Sequence, residues 1–214
     1  MKVKTGIMQI IRKYFRNLTD SQYGQFSALQ PLYEDWNAKI NVISRMDIGN
    51  LYEHHVLHSL AIARMMEFTD GTRIMDLGTG GGFPGIPLAI LFPECHFTLV
   101  DSIGKKVRVA QAVAESIGLK NVECKHERAE EETDKFDFVV SRGVTSLPDL
   151  CSYAQKLISH RNQHNAYPNG VLCLKGGDLS AELAKYRNSS EIIEISTWFK
   201  EDYFKDKKVV YVQI

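Results

Sequence analysis

Apolar residues recur at three- and four-residue intervals over the first seventy residues, a spacing that predicts helices. The pattern places one helix at 7–18, a second at about 26–40 and a third at about 50–68. Pro31 lies inside the second stretch, so a helix there either starts afresh or is kinked. We therefore expect an N-terminal helical segment over residues 1–70.

Beyond residue 71, short β-rich runs alternate with helical ones, which is typical of a parallel sheet with crossover helices. We place this second domain at 71–214. The predicted strands are 73–77, 96–101, 121–125, 136–141 and 170–175, and the predicted helices are 84–91, 105–117, 147–158 and 179–186. Two last strands, at 192–198 and 208–212, predict an antiparallel hairpin inserted into the sheet. The polar stretch 161–169 is expected to be a mobile loop.

The first predicted strand runs into a glycine-rich loop, which favours a nucleotide-like ligand held against bare backbone. The loop contains Gly78, Gly80, Gly81, Gly82 and Gly85, and a helix is expected from about Pro84. In the nicotinamide-binding pattern Gly-x-Gly-x-x-Gly, counted from Gly78, the third glycine would fall at Phe83. A match that begins at Gly80 starts two residues late and puts Pro84 inside the turn. The frame therefore argues against a nicotinamide cofactor.

Two carboxylates end the first two strands of the predicted sheet. Asp101 is placed to accept both ribose hydroxyls of an adenosine, although it could instead cap the helix that begins near Gly104. Asp76 directly precedes the glycines and is expected to face the ligand crevice. A sulfonium or an amino group there would offset its charge, whereas a pyrophosphate would be repelled. The two acids favour S-adenosyl-L-methionine over NAD.

Charge and composition limit the partners. The chain has 26 basic and 26 acidic residues, so its overall field attracts neither nucleic acid nor an anionic membrane. A polyanion would have to meet a local patch, such as the face of the first predicted helix that carries Arg12, Lys13 and Arg16; that face either packs on the domain or meets phosphates.

The four cysteines form no Cys-x-x-Cys pair, which favours buried thiols in a reducing compartment. With no bilayer-length apolar stretch and no signal-peptide core, we expect a cytoplasmic protein.

The loop and several other motifs resemble one family closely. Residues 76–88, Asp-Leu-Gly-Thr-Gly-Gly-Gly-Phe-Pro-Gly-Ile-Pro-Leu, are similar to the cofactor loop of class I methyltransferases, and specifically of the bacterial 16S rRNA guanine-N7 methyltransferases once called glucose-inhibited division protein B. The similarity continues through 99–102, 128–130, 141–142 and 174–177. Upstream it includes Trp36-Asn37, Asn41, His55 and Ser59-Leu60. It therefore spans nearly the whole chain.

The resemblance implies an α/β, Rossmann-like class I methyltransferase fold. This is a mostly parallel seven-stranded sheet with helices on both faces and an antiparallel C-terminal strand, preceded by the helical segment. It also implies S-adenosyl-L-methionine as cofactor and small-subunit rRNA, in a ribosomal particle or assembly intermediate, as substrate. Together with the loop analysis, the candidate cofactor residues are Asp76, Gly78, Gly80, Phe83, Asp101, Ala129, Glu130 and Arg142. The candidate RNA-binding residues are Arg12, Lys13, Arg16, Arg142 and Lys175.

The resemblance gives each motif a role. Gly78 and Phe83 match positions around the methionine and adenosine moieties, and Ala129 and Glu130 match the pair beside the adenine ring. Arg142 matches an arginine at the cofactor and substrate mouth; the alternative is a surface salt bridge. No catalytic acid or base is assigned, because guanine N7 already carries a lone pair, and Arg142 is the one residue we consider for a catalytic part.

The chain departs from the family pattern in two places. It has Ser-Arg-Gly at 141–143, where the family commonly has Ser-Arg-Ala, and it is rich in histidine at 54–58. His54 and His58 are four residues apart, a spacing that can bind zinc, but no third ligand is near in sequence. We expect no metal, and the roles of these histidines and of His55 stay open.

Three other functions stay open. The same fold serves class I methyltransferases that act on proteins or small molecules, and a non-catalytic RNA-binding assembly factor could also have kept it. A nicotinamide oxidoreductase is disfavoured by Asp76 and Phe83. The absence of an Asn-Pro-Pro-Tyr motif after the fourth predicted strand argues against amino-nitrogen targets.

Overall fold

Seven strands form one sheet in the computed structural model, which describes residues 9–161 and 163–214. The strands are β1 Arg73–Leu77, β2 His96–Asp101, β3 Val122–His126, β4 Phe138–Arg142, β5 Gly170–Gly176, β6 Ser190–Glu194 and β7 Lys207–Gln213. Their order is β3-β2-β1-β4-β5-β7-β6. The strands from β3 to β5 pair in parallel, and β7 lies antiparallel between β5 and β6. The predicted sheet and its inserted terminal hairpin are confirmed.

Helices cover both faces of the sheet. They are α1 Gln9–Tyr14, α2 Asp20–Lys39, α3 His58–Met65, α4 Gly85–Leu91, α5 Gly104–Ser116, α6 Leu147–Leu157 and α7 Ser180–Leu183. Because side chains alternate along a strand, Ile74 of β1 packs into one hydrophobic cluster and Met75 into another. Buried side chains of α2, α3, α4 and α5 belong to the first cluster, and buried side chains of α6 and α7 belong to the second. The N-terminal helices thus share a core with the sheet.

The helical segment differs in detail from its prediction. Pro31 lies inside α2, which is one continuous helix of 20 residues that begins at a Thr19–Gln22 capping box, so a fresh start at Pro31 is wrong. The third predicted helix is a π-helical segment, Leu51–Leu57, followed by α3. Short π-helical segments are rare and often occur at functional sites. The beginning of the first predicted helix, at Ile7, lies outside the described residues.

The C-terminal tail also differs from its prediction. The predicted strand 192–198 ends at Glu194, and a 3₁₀ turn, Ile195–Thr197, follows. The chain turns there because Ile195 and Phe199, four residues apart, are both fully buried. At the end of the stretch 161–169, Asn169 is buried and its amide donates to the carboxylate of Asp137 and the carbonyl of Ser159, while the mobility of the loop stays a prediction. Among the described residues, no helix is long and apolar enough to cross a membrane.

Candidate active site

A cavity of about 630 Å³ lies at the carboxyl ends of β1, β2 and β4. Ligands of open α/β sheets bind at this edge, where the loops after the strands meet. Seven of the eight candidate cofactor residues line the cavity: Gly78, Gly80, Phe83, Asp101, Ala129, Glu130 and Arg142. The structure therefore brings together residues from the ends of four strands and the loops that follow them, separated by up to 64 positions in sequence.

The stretch from the end of β1 to the first residue of α4 requires glycine at several positions, and Gly78 and Gly85 illustrate the two reasons. Gly78 has a φ of +71°, a conformation that side chains rarely adopt, and a Cβ there would lie 2.5 Å from Cγ2 of Val144. At Gly85 a Cβ would lie 2.8 Å from the carboxylate of Asp76 and 2.8 Å from Leu99. The loop thus exposes backbone to the cavity at one end and packs tightly against β1 and β2 at the other.

Asp76, the eighth candidate, lies behind the loop and does not line the cavity. It is fully buried, and its Oδ2 accepts hydrogen bonds from the Thr79 hydroxyl at 2.6 Å and the Gly85 backbone N–H at 2.8 Å. The sequence predicts that this carboxylate faces the ligand, whereas in the structure Oδ2 fixes the loop, because its donors, Thr79 and Gly85, belong to the glycine-rich stretch itself. Its Oδ1 is buried without a hydrogen-bond partner among the described residues. Burial raises the pKa of Asp76 to about 7, although these hydrogen bonds and the charge of Arg142 oppose the rise.

Asp101 lies at the end of β2 with both carboxylate oxygens engaged by backbone. Oδ2 accepts from the Gly80 N–H at 2.9 Å, and Oδ1 accepts from the Ile103 N–H at 2.8 Å, at the start of α5. Ribose binding and capping of the helix that begins at Gly104 are therefore not exclusive roles for Asp101, since its carboxylate contacts both the start of that helix and the loop at the cavity. Each oxygen has a second lone pair, which leaves acceptor capacity on the cavity side.

Arg142 ends β4 and extends toward the helical segment. Its guanidinium donates to the backbone carbonyl of His54 at 3.3 Å and to Nδ1 of His55 at 3.0 Å, and it lies 5.0 Å from the centre of the Phe83 ring. Burial lowers the pKa of Arg142. The position is not that of a surface salt bridge, because no ion pair with a carboxylate involves Arg142 in the described part of the chain.

The histidines form part of this arrangement through Asp47, a residue that the sequence analysis did not single out. The carboxylate of Asp47 lies 2.5 Å from Nδ1 of His54 and 2.8 Å from Nε2 of His55. Burial and the charge of Arg142 lower the pKa of His55 to about 4, so the ring is neutral near pH 7. Nε2–H then donates to Asp47 and Nδ1 accepts from Arg142. Among the described residues, no group of three His, Cys, Asp or Glu side chains is placed to hold a metal.

The candidate RNA-binding residues lie apart from one another. Lys175 ends β5, and its ammonium contacts Glu182 at 2.9 Å and the carbonyl of Thr145 at 2.6 Å. In α1, Lys13 contacts Glu201 at 2.7 Å, and the Arg12 guanidinium lies 4.6 Å from the centre of the Tyr23 ring. Arg16 is exposed. Arg12, Lys13 and Arg16 do not line the cavity.

The sheet order and the glycine loop followed by an acid at the end of β2 define the fold of class I methyltransferases. A solved structure of a SAM-dependent methyltransferase from Aquifex aeolicus is similar, with a TM-score of 0.57, 14% identity, and coverage of 79% of this chain and 98% of that one. The profile of the GidB family, described as rRNA small subunit methyltransferase G, matches residues 22–202. The chain belongs to this family.

Two relatives support the assignment. Proteins named ribosomal RNA small subunit methyltransferase G are 62% identical in Phocaeicola vulgatus and 63% identical in Bacteroides thetaiotaomicron. Each alignment covers 97% of this chain, and 99% and 100% of the respective relative. The resemblance found in the sequence is thus confirmed, together with the expectation of an enzyme that uses S-adenosyl-L-methionine.

We predict that Asp76→Asn flattens the pH dependence of stability in the ligand-free protein. The pKa of Asp76 is raised from 3.8 to about 7 in the folded state, so the folded protein holds this proton more tightly than the unfolded chain does. The stability contributed by this group is therefore complete below about pH 4 and is lost as the pH rises to about 7, with a slope of at most about 1.4 kcal/mol per pH unit.

Urea unfolding across this pH range measures the effect. The exposed Asp35, changed to Asn, is the matched control and should keep the slope of the original protein. If Asp76→Asn also keeps that slope, the raised pKa is contradicted.

Proposed function

We propose that this protein transfers a methyl group from S-adenosyl-L-methionine to N7 of a guanine in 16S rRNA. One observation carries the proposal: a chain that belongs to the small-subunit rRNA methyltransferase family gathers seven of its candidate cofactor residues around one cavity. The guanine, its N7 atom and the ribosomal particle as the form of the substrate come from the resemblance noted in the sequence. A cytoplasmic location goes with this substrate.

The residues around the cavity fit the cofactor. The backbone of Gly78 and Gly80 offers a surface without side chains, and Asp101 has free lone pairs for the ribose hydroxyls. Ala129 and Glu130, in the loop after β3, would lie beside the adenine ring. The partnerless Oδ1 of Asp76 lies just behind the loop, where a cationic ligand would favour the ionised carboxylate and a pyrophosphate would raise its pKa further.

The chain's own contribution to the reaction is orientation. When bound, S-adenosyl-L-methionine supplies an electrophilic methyl group. Guanine N7 carries an available lone pair, so no side chain has to remove a proton first. Holding the reacting groups in a productive arrangement can lower a barrier by roughly 7 to 11 kcal/mol. Phe83 and Arg142, which pack against each other at the cavity wall, are the residues we propose for this positioning.

The reaction itself is tested with small ribosomal subunits from a strain that lacks this modification. We expect the protein and methyl-labelled cofactor to label N7 of a guanine in 16S rRNA, and mapping of the labelled nucleotide measures this. Cofactor binding without transfer would favour a non-catalytic assembly factor. Labelling of proteins in place of RNA would favour a methyltransferase with another substrate.

We predict that Asp101→Ala weakens cofactor binding at least ten-fold, which is about 1.4 kcal/mol or more. The change removes the acceptor proposed for the ribose hydroxyls and the bond that holds the Gly80 N–H. Calorimetric titration with S-adenosylhomocysteine measures the dissociation constant. The exposed Asp35→Ala is the control and should bind as the original protein does. An unchanged constant for Asp101→Ala would remove this residue from the proposed site.

A second prediction concerns α1. This helix contacts the segment that precedes Tyr203, because its Tyr14 hydroxyl donates to Glu201; the Tyr203 ring in turn stacks on His54 with the ring centres 3.9 Å apart. Lys13 is neutralised by Glu201, which leaves Arg12 and Arg16 as the cations that we propose for phosphate contacts.

Changing Arg12 and Arg16 together to Ala should weaken rRNA binding and reduce the slope of log affinity against log salt by about 1 to 2. Filter binding at several salt concentrations measures the slope. Lys185 and Arg187, exposed near α7, give a control pair with the same change of charge. If the Arg12/Arg16 variant and the Lys185/Arg187 variant reduce the salt slope equally, Arg12 and Arg16 make no specific contact with the RNA.

A further inference from the structure

A second cavity, of about 350 Å³, adjoins the first and shares Arg142 and Gly143 with it. Its walls come from the π-helical segment Leu51–Leu57 and the first residue of α3, from the end of β5, and from Tyr203 and Lys207. This volume lies within the range of about 300 to 1,000 Å³ that small-molecule sites occupy. The site thus consists of two neighbouring compartments with one guanidinium between them.

The cations around this second cavity are not equivalent. Lys175 is paired with Glu182, and the ammonium of Lys207 lies 2.6 Å from a carboxylate oxygen of Asp206. Arg142 alone among these three has no carboxylate partner within the described residues. A guanidinium has five N–H donors, and only two bonds engage them here, to His54 and His55. Arg142 is therefore the cation of this cavity whose charge no carboxylate offsets, and it keeps N–H donors that these two bonds do not use.

The guanidinium is also held in a fixed orientation. Asp47 accepts from Nε2 of His55, which leaves Nδ1 of His55 as an acceptor for Arg142. The Phe83 ring packs against the guanidinium from another side. A donor fixed in this way is suited to recognising one acceptor atom of a ligand.

We propose that the second cavity receives the target guanine, with the remaining N–H groups of Arg142 donating to its O6. This inference rests on the proposed function, since it concerns the base that is methylated there. Arginine commonly contacts O6 and N7 of guanine, but an N7 engaged in a hydrogen bond has no lone pair for methyl transfer. Contact to O6 alone leaves N7 open. Adenine is rejected because its 6-amino group is a donor and would face another donor.

The other walls fit a base better than a phosphate. The Tyr203 ring is stacked on His54 at an interplanar angle of 13°, and the Lys207 ammonium lies over the ring at 5.2 Å from its centre. This wall of the cavity is therefore largely aromatic, and unstacked RNA bases commonly pack against aromatic side chains. His58 is 5% exposed, and its Nε2 has no hydrogen-bond partner within the described residues. A ligand with polar edges could provide that partner. A phosphate could also bind an unpaired guanidinium, but the charges of the two lysines here are already offset by Glu182 and Asp206, which makes the cavity less favourable for a dianion.

The first test uses the unmodified protein saturated with S-adenosylhomocysteine. Of its seven histidines, His54, His55 and His58 line the second cavity, and His96, His126, His160 and His164 do not. We expect guanosine 5′-monophosphate to shift the imidazole NMR signals of the first three, and adenosine 5′-monophosphate to shift them several-fold less at equal concentration. Equal shifts with both nucleotides, or with inorganic phosphate alone, would overturn the proposal, as would unmoved signals.

The second test fills the cavity. Gly176 lines only the second cavity, and a Cβ there would have its nearest neighbour at 3.4 Å, an ordinary contact. We expect Gly176→Val to keep the dissociation constant of S-adenosylhomocysteine within two-fold, to abolish the nucleotide-induced shifts and to lower kcat/KM for the rRNA substrate at least ten-fold. Gly24→Val, at an exposed position with no atom within 4 Å of its Cβ, is the control. A Gly176→Val protein with unchanged kcat/KM would refute the assignment.

The two tests separate this inference from the proposed function. If guanosine monophosphate shifts the three histidine signals but no 16S rRNA is methylated, the cavity binds guanine and the proposed reaction is wrong. If the rRNA is methylated at N7 but the signals do not move, the reaction stands and the guanine lies elsewhere.

Discussion

The site depends on one buried carboxylate. Asp76 is completely removed from solvent, and its Oδ2 joins the Thr79 hydroxyl and the Gly85 N–H, so one atom fixes both ends of the glycine loop. From the opposite side, the buried Tyr33 hydroxyl of α2 donates to the carbonyl of Gly81 at 2.7 Å. The loop is therefore held between the sheet and the N-terminal helices. Burying an acid is unfavourable, and the raised pKa of Asp76 expresses that cost.

The helical segment belongs to the site as much as the sheet does. It supplies Tyr33 beneath the loop, Val42 at the cavity wall, and the His54 and His55 contacts to Arg142. The boundary predicted at residue 70 stays a prediction about domains, but the cavity is shared across it. Removal of the helical segment would leave Arg142 without both of its hydrogen-bond partners, so the methyltransferase fold alone does not make this site.

Much of the fold could be predicted from the sequence because buried parallel strands are short apolar runs with a clear beginning and end. Seven of eight cofactor candidates line the cavity because the loops after parallel strands converge at one edge. The features that could not be predicted from the sequence depend on tertiary contacts. Asp76 was expected to face the ligand, yet its nearest donors are in its own loop. The pairing of Asp47 with His55 depends on the π-helical segment, whose seven residues are too few to show its repeat in the sequence. The continuity of α2 through Pro31 overrides a local preference.

The position of β7 has a consequence for how the chain folds as it is made. Of the seven strands β7 is synthesised last, yet it lies between β5 and β6, and β6 pairs with no other strand. Until β7 leaves the ribosome, the outer edge of β5 and all of β6 lack partners, and exposed strand edges favour aggregation. Tyr203, which closes the second cavity, is also made late. The sheet and the second cavity are therefore both complete only after β7 has been made.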